Sequence, residues 1–405
     1  MIATAGLGQA LRQAGAETLA QALQSSRRDT LATFGLYEAA LSGRDFVVPQ
    51  SVELNPPLWE LGHIGWFQTH WLGRNPHRLR GAAADPFVLR RPPERRNADA
   101  LYDSSQVAQH TRWSLPLPGA QSTRADLATG LAQSLALLAQ SPEDDNGLYF
   151  HRLCLFHEDM HHEAALYMAQ ALGIAVPDPR WQPQALAAAA TALSLAPCTF
   201  RLGQSAGFAF DNELGIHEVK VPAGQIDSQV LRWADYLPFI EAGGYEDERW
   251  WTSPARTWRK AHGVQAPRYL RSDRHGAWQQ QRWGRWQTLD LALPACHLSA
   301  YEAQAWCTWA GRRLPTEAEW ECAALSLGDA FQWGHVWEWT ASPFARYPGF
   351  VAHPYRDYSA PWFDGRPVLR GGSFGTQRRM KHPQYRNYFE PARNDIFAGF
   401  RSCAL

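Results

Sequence analysis

The sequence lacks an excess of charge of either sign. Its 405 residues include 39 Lys and Arg and 39 Asp and Glu, so the net charge is zero when histidine is neutral. Proteins that bind nucleic acid or an anionic membrane surface usually carry a basic patch or a net positive charge. We therefore expect neither nucleic acid nor a membrane as a partner.

Long apolar runs are also missing from the sequence. The stretch ALAAAATALSLA at 185–196 is too short and too rich in alanine to span a bilayer. The N-terminal MIATAGLGQALRQAGAE lacks the basic segment followed by an apolar run that marks a secretion signal. These two absences predict a cytoplasmic protein.

Cysteine is scarce, and the sequence contains no C-x-x-C pair among its six cysteines. In a chain without a secretion signal, this pattern predicts reduced thiols rather than a disulfide framework. Each cysteine is expected to act as a small apolar core residue. The six are Cys154, Cys198, Cys296, Cys307, Cys322 and Cys403.

Helical periodicity dominates residues 1–175. The pattern predicts four helices, over 17–41, 55–73, 124–140 and 147–173. Helices of this length favour an antiparallel bundle, and the interior of such a bundle can hold a metal ion.

The remaining segments have a different composition. Residues 74–121, rich in Pro and Arg, are expected to form a long irregular connection, and residues 176–197, rich in Pro and Ala, a linker. In 198–405, short apolar or aromatic runs are separated by turn residues, and helices are expected only near 228–242 and 299–310. The pattern predicts an α+β protein with two domains.

A cluster of histidines and acids stands out in the fourth predicted helix. The sequence LFHEDMHHEAALYM at 155–168 fits the H-E-x-x-H signature of zinc proteases. Positions i and i+4 share a helix face, so His157 and His161 form a pair, whereas Glu158 and His162 point elsewhere. The pair is either two hydrogen-bonded core histidines or part of a metal site with a third ligand.

The second predicted helix offers a third ligand. In LWELGHIGWFQTHW, His63 is flanked by apolar residues, and His70 is an alternative that lies closer to the end of the helix. Three imidazoles bind zinc or iron and leave positions for further ligands. A zinc protease would need Glu158 beside the metal and its third ligand downstream. A histidine ligand from an upstream helix does not match that layout, so the sequence favours a different metal-dependent enzyme.

Five motifs in the second half of the chain carry a family resemblance. They resemble the formylglycine-generating-enzyme/sulfatase-modifying-factor fold, which is a C-type-lectin-like domain. With the helical part, the whole chain resembles the ergothioneine sulfoxide synthase family, which includes ovothiol and selenoneine synthases. The resemblance implies a DinB-like four-helix bundle followed by the C-type-lectin-like domain. The motifs are GFAFDNE (207–213), GRRLPTEAEWE (311–321), VWEWTASPF (336–344), VLRGGSF (368–374) and YRNYFEPARNDIFAGFR (385–401).

The resemblance implies a non-haem Fe(II) site that uses O2 as a co-substrate. The family's metal ligands match His63 in HIGWF and His157 and His161 in HEDMHHE. The last acid of that motif matches Glu163, which is expected to support the site rather than bind the metal. His162 has no counterpart in the family.

The resemblance also implies the residues that handle the acceptor substrate, hercynine (Nα-trimethylhistidine). A Y-x-x-Y stretch matches YRDYSAPWF, which predicts Tyr355 as a proton donor and Tyr358 as a pocket residue. Asn387 and Tyr388 fall where the family places an asparagine and an aromatic residue near hercynine. Ordinary loop tyrosines that anchor strands remain the alternative for Tyr355 and Tyr358.

The chalcogen donor is indicated by departures from the ergothioneine pattern. Met160 replaces a glutamine, and Phe389 replaces an acid that would pair with the ammonium of an amino-acid donor. Arg393 is retained, and Arg112 falls in a loop where donor-binding arginines occur. The helix motif also resembles that of selenoneine synthases more closely. These features favour a softer, less charged donor.

The sequence therefore predicts oxidative C–Se bond formation between a 1-seleno-N-acetylhexosamine and C2 of hercynine, giving selenoneine. The alternative is an ergothioneine or ovothiol sulfoxide synthase that joins cysteine or γ-glutamylcysteine to hercynine or histidine. A further alternative is that the lectin-like domain serves only as a binding module beside an inactive bundle.

Overall fold

The computed structural model describes residues 4–405 and shows an α+β protein. The first part is helical, and the second combines short helices with four small sheets. In the described residues, no helix is long and apolar enough to cross a membrane. The helices of the first part are α1 (Thr4–Gln13), α2 (Ala16–Leu41), α3 (Pro57–Gln68), α4 (Ala98–Tyr102), α5 (Ala120–Leu138) and α6 (Asp145–Leu172).

All four predicted helices of the first part are present, as α2, α3, α5 and α6, and they pack on one another. Helix α6 begins after Asp144, whose carboxylate accepts a hydrogen bond from the Gly147 amide at 2.7 Å. It ends at Gly173, which adopts the left-handed conformation (φ 69°) that glycine tolerates. These end signals explain why a 28-residue helix has sharp boundaries.

Helix α3 is shorter than the predicted helix over 55–73. Pro57 occupies its first turn, where the missing amide hydrogen is not needed. The α-helical pattern stops at Gln68, and Thr69–Gly73 form a π-helical turn. The wider turn rotates the residues that follow, so His70 does not stay in register with His63. His70 instead accepts a hydrogen bond from Arg90 at 3.3 Å.

The predicted linker at 176–197 is built into the second part of the chain. Trp181 and Leu186 are buried, and the Leu186 amide donates to the Ala292 carbonyl at 2.9 Å. Strand β1 (Ala192–Leu195) pairs with β4 in antiparallel register. The segment therefore belongs to the packed core rather than to a free connection.

The strands of the second part form four sheets. Their orders are β1-β4-β13-β8, β11-β10-β9-β12, β2-β3 and β5-β6-β7. The strands are β2 (Cys198–Leu202), β3 (His217–Val221), β4 (Gly224–Asp227), β5 (Leu270–Ser272), β6 (Trp278–Arg282), β7 (Arg285–Thr288), β8 (Arg312–Arg313), β9 (Trp337–Pro343), β10 (Pro367–Arg370), β11 (Asn387–Tyr388), β12 (Ala398–Gly399) and β13 (Cys403–Ala404).

The second part contains four helices where the sequence predicted two. Helices α7 (Trp233–Glu241) and α9 (Ala300–Trp309) match the prediction, whereas α8 (Ser253–His262) and α10 (Glu317–Ser326) were missed. Helix α10 has a capping box, in which Thr316 and Glu319 satisfy each other's backbone amides. That T-x-x-E signal was available in the sequence.

Buried polar contacts join the helical part to the second part. Glu163 on α6 accepts hydrogen bonds from the Ser373 hydroxyl (2.5 Å), the Thr376 hydroxyl (2.8 Å) and the Trp337 indole (2.9 Å). Asp159, also on α6, pairs with Arg379 at 2.6 Å. Because these groups are buried and satisfied across the boundary, α6 is held at a fixed position against the second part.

Candidate metal centre and substrate cavity

Three histidines from two helices meet in the bundle interior. Helix α3 supplies His63, and α6 supplies His157 and His161. One ligand atom from each lies within 4.8 Å of the others, and among the described residues they are the one group of three or more with metal-ligand spacing. His63 and His157 are each about 2% exposed. The i, i+4 spacing on α6 brings two rings together, and packing of α3 against α6 brings the third.

Hydrogen bonds orient two of the three rings. The Nδ1 atom of His63 lies 2.8 Å from the Tyr102 carbonyl, and Nδ1 of His161 lies 2.6 Å from the Glu60 carboxylate. Because both partners are acceptors, each Nδ1 carries the hydrogen, and this assigns the free lone pair to Nε2. In His157, Nε2 is buried and has no hydrogen-bond partner among the described residues.

Aromatic packing restricts the rings further. The Phe67 ring stacks on His157, with centroids 3.5 Å apart and planes inclined by 3°. Trp59 stacks on His63 at 4.8 Å and 9°. Side chains held in this way need little reorganisation to act as ligands, which favours tight binding of one ion.

The electrostatic environment keeps His63 and His157 neutral. Burial lowers the pKa of His63 to about 3, and burial also lowers the pKa of His157 well below its usual value. Neutral imidazole is the form that binds a metal. A buried ring nitrogen without a partner among the described residues, such as His157 Nε2, is costly unless something binds it. The cluster therefore fits a divalent metal ion.

Glu60 was not predicted as part of the site. Burial alone would raise the pKa of its carboxyl, but the neighbouring His161 ring and the hydrogen bond from it bring that pKa down to about 2. A carboxylate that holds the second nitrogen of a ligand histidine raises the basicity of the ring and fixes its tautomer. Glu60 lies three residues before His63 on α3, so an E-x-x-H pattern was the available signal.

The other polar residues of the α6 motif face away from the cluster. Glu158 forms a buried ion pair with Arg27 at 2.8 Å, and His162 bonds to Thr33 at 2.9 Å. The zinc-protease mechanism requires the glutamate of H-E-x-x-H beside the metal. The pairing of Glu158 with Arg27 therefore argues against a zinc-protease mechanism.

A cavity of about 570 Å³ lies between α6 and the second part of the chain. His157 and His161 form part of its wall, while His63 lies behind them in the bundle. Seven of the residues predicted to handle substrates also line it: Arg112, Met160, Tyr355, Tyr358, Asn387, Tyr388 and Phe389. Its lining also includes eight polar or aromatic residues that the sequence analysis did not predict: Ser104, Gln109, Tyr167, Trp337, Asp357, Trp362, Tyr385 and Phe397.

Of the two predicted tyrosines, Tyr355 lies closer to the histidine cluster. Its ring meets Phe67 edge-on at 4.9 Å and lies 6.1 Å from the ring of His157. Burial raises the pKa of Tyr355, so its hydroxyl stays protonated at neutral pH. Tyr358 stacks on Phe210 at 4.3 Å and donates to the Tyr385 hydroxyl at 3.3 Å.

Asn387 and Tyr388 are positioned by strand β11, which pairs with β10. The Tyr388 ring stacks on Phe344 with centroids 3.9 Å apart. The Asn387 side-chain oxygen accepts a hydrogen bond from the Tyr388 amide at 2.9 Å. This assignment leaves the Asn387 amide nitrogen as a donor in the cavity wall.

The two predicted arginines are placed differently. Arg112 lines the cavity, its guanidinium lies 3.7 Å above the Trp59 ring, and it donates to Asn55 at 2.9 Å. Arg393 does not line the cavity. It forms a bidentate ion pair with Asp395 at 2.5 and 2.7 Å, and its guanidinium lies 5.0 Å from the Phe389 ring centroid. The structure therefore does not bring Arg393 to the site with the others.

The segment 74–121 folds around the histidine cluster. It supplies the Tyr102 carbonyl to His63, and it supplies Arg112, Ser104 and Gln109 to the cavity. Gln109 donates to the carbonyls of Ser51 and Leu54 at 2.8 and 2.9 Å. The long connection is thus a wall of the site.

Comparison with known proteins supports this arrangement of parts. The Sulfatase-modifying factor enzyme 1-like domain family matches residues 178–335 and 327–404. Hercynine oxygenase from Mycolicibacterium smegmatis is 31% identical, over 95% of this chain and 98% of that protein. Hercynine oxygenase from Mycobacterium tuberculosis is 33% identical, over 86% of this chain and 90% of that protein.

A more distant relative aligns with a smaller share of the chain. Formylglycine-generating enzyme from Streptomyces coelicolor is 26% identical, over 46% of this chain and 77% of that protein. The two hercynine oxygenases, in contrast, align with nearly the whole chain, including the helical part that carries the three histidines. The chain therefore belongs to the hercynine oxygenase family and is an oxidative enzyme with a C-terminal sulfatase-modifying factor enzyme 1-like domain.

Proposed function

We propose that this protein is a non-haem iron enzyme that uses O2 to make selenoneine. The reaction joins the selenium of a 1-seleno-N-acetylhexosamine to the imidazole C2 of hercynine. Two relatives that align with most of the chain are named hercynine oxygenase, which supports hercynine as acceptor and O2 as oxidant. The donor is inferred from the residues of the cavity.

The observation that carries the proposal is the position of the histidine cluster at the cavity wall. His157 and His161 border a space large enough for a small molecule, and His63 completes the set from behind. Ferrous iron held by these three imidazoles would keep coordination positions free for O2 and substrate chemistry. Glu60 and the Tyr102 carbonyl would hold the ligand rings in place.

Hercynine fits the aromatic side of the cavity. Its trimethylammonium group carries a permanent positive charge that tyrosine faces attract, and Tyr358 and Tyr388 offer such faces. The free amide nitrogen of Asn387 can donate to the carboxylate of hercynine. Tyr355, which stays protonated at neutral pH, is the proposed proton donor during coupling.

The donor side of the cavity favours a carbohydrate selenide. An amino-acid donor needs a carboxylate for its ammonium and a cation for its own carboxylate. Phe389 supplies no charge, and Arg393, whose guanidinium lies 5.0 Å from the Phe389 ring centroid, is already paired with Asp395. Met160 adds a soft, polarisable surface that suits selenium.

The alternative donor is cysteine or γ-glutamylcysteine, and one observation favours it. Arg112 and Asp357 both line the cavity and carry opposite charges. Together they could bind the carboxylate and ammonium of an amino acid. In that case the enzyme would be an ergothioneine or ovothiol sulfoxide synthase, with the same metal centre and the same Tyr355.

The test is a comparison of donors on one enzyme preparation. Protein loaded anaerobically with Fe(II) is mixed with hercynine, O2 and either the selenosugar, cysteine or γ-glutamylcysteine, and products are identified by mass spectrometry. We expect a product with the selenium isotope pattern from the selenosugar, and His157→Ala as matched control should give none. Turnover with a thiol and none with the selenosugar would overturn the choice of donor.

A further inference from the structure

Two of the six cysteines lie in contact, away from the substrate cavity. Cys198 is the first residue of β2, Cys322 lies in α10, and their Sγ atoms are 3.8 Å apart. Cys198 is exposed to solvent, whereas Cys322 is 5% exposed. Neither residue lines the cavity beside the histidines. No sequence pattern indicates this pair, because its members are separated by 124 positions.

The geometry allows these thiols to join with little movement. A disulfide has sulfur atoms about 2.05 Å apart, so the pair must close by about 1.8 Å. Packing between α10 and the β2–β3 hairpin already holds the two backbones together. Rotation of the cysteine side chains can supply movement of this size, since Cys198 stands at the end of its strand and faces solvent.

We propose that Cys198 and Cys322 form a modification site at which a peroxide produces a reversible disulfide. The thiolate of Cys198 attacks hydrogen peroxide, which breaks the O–O bond and yields a sulfenic acid and hydroxide. The Cys322 sulfur then attacks the sulfenic sulfur and releases water. Two thiols are oxidised by two electrons, and one peroxide is reduced to two waters.

The order of the two steps follows from exposure. Peroxide reaches Cys198 from solvent, whereas Cys322 is covered by the protein. Burial and the neighbouring Cys198 raise the pKa of Cys322 to about 11, so Cys322 is a poor first nucleophile. It is nevertheless in contact with Cys198, where it can resolve the sulfenic acid before further oxidation.

The disulfide would strengthen the frame that supports the cavity. Cys322 follows Glu321, which bonds to the Gly203 amide at 3.1 Å and pairs with Arg370. Arg370 in turn donates to the Tyr385 carbonyl at 3.2 Å, and Tyr385 lines the cavity. A covalent link between β2 and α10 would hold this buried ion pair in place when the protein is heated.

The test follows the cysteines of the full-length, metal-free protein, so that iron and peroxide do not react together. After treatment with hydrogen peroxide, remaining thiols are alkylated, and the unreduced digest is analysed by mass spectrometry. We expect one cross-linked peptide pair, Cys198 with Cys322, that dithiothreitol separates. The melting temperature should rise by about 5 °C on oxidation and return on reduction.

Single variants separate the two roles. In Cys322→Ser the sulfenic acid on Cys198 should persist and react with dimedone, and Cys322→Ala provides the same test if the serine variant does not fold. In the surface variant Cys198→Ser, Cys322 should stay unmodified. Sulfinic acid on Cys198 of the wild type without a cross-link, or a first oxidation at any other cysteine, would overturn the proposal.

Discussion

Removing the Glu60 carboxylate should weaken metal binding, although Glu60 is not placed to bind the metal itself. Its Oε2 atom accepts from His161 Nδ1 at 2.6 Å, and its Oε1 atom accepts from Asn55 at 2.5 Å. Glu60 is 6% exposed, so water cannot readily replace either contact. In Glu60→Ala the His161 ring loses its tautomer control and its orientation. The negative charge of the Glu60 carboxylate, which is separated from the proposed metal by the His161 ring, is lost as well.

The expected size of the effect comes from the two contacts and the charge. Loss of a group that orients a ligand histidine lowers metal affinity about 10- to 100-fold, which equals about 1.4–2.8 kcal/mol. We expect the loss of Fe(II) affinity in Glu60→Ala to lie near the upper end of this range. Glu60→Gln should fall near the lower end, because its oxygen can still accept from His161. Its amide nitrogen would then face the Asn55 amide, which cannot turn because Arg112 holds the Asn55 oxygen at 2.9 Å.

The measurement is an anaerobic titration of each variant with Fe(II), with thermal unfolding of the metal-free proteins as a check on folding. The matched control is Glu38→Gln, because Glu38 is half-buried in an ion pair with Arg124, away from the histidines. Its affinity should equal that of the wild type. If folded Glu60→Ala bound Fe(II) within about threefold of the wild-type affinity, the assigned role of the carboxylate in holding His161 would be refuted.

Three further changes test the remaining parts of the site. His157→Ala should lower Fe(II) affinity by at least 100-fold in a metal-content assay, because about one third of the protein donors is lost; stoichiometric iron would contradict the ligand set. Tyr355→Phe should keep iron but slow product formation about 100-fold in single-turnover kinetics, whereas an unchanged rate would remove it from the chemistry. Gly62→Ala places a methyl group 2.3 Å from the Tyr102 ring, so calorimetry should show weaker Fe(II) binding as the His63 contact shifts.

The two longest helices of the first part, α2 and α6, could be predicted closely from the sequence. The predicted 17–41 and 147–173 correspond to Ala16–Leu41 and Asp145–Leu172, since long amphipathic runs with defined ends leave little choice. The pairing of His157 with His161 also follows from helix geometry alone. In contrast, the ten-residue helices α8 and α10 were missed although α9, of the same length, was predicted, because runs this short are hard to separate from loops and are recognised unevenly.

The hydrogen-bond partners of the site could not be predicted in the same way. Tyr102 bonds to His63 through its backbone carbonyl, across 39 positions, and a backbone carbonyl leaves no mark on the sequence. Arg393 was matched by a motif to donor binding, but the structure pairs it with Asp395, two residues further on. A motif identifies a residue type at a position, whereas the tertiary structure decides which partner satisfies its charge.

Helix α6 determines both the position of two of the three clustered histidines and the shape of the cavity. One face of it presents His157 and His161 to α3, while Asp159 and Glu163 face the second part of the chain. The carboxylates are buried and bonded to Arg379 and to the Ser373–Thr376 turn, so sliding or rotating the helix would break several satisfied contacts at once. The turns of α6 that carry His157 and His161 therefore also fix the distance from these two imidazoles to the cavity walls. In the proposed reaction, substitution of wall residues such as Phe389 should therefore change the choice of donor without moving the three histidines.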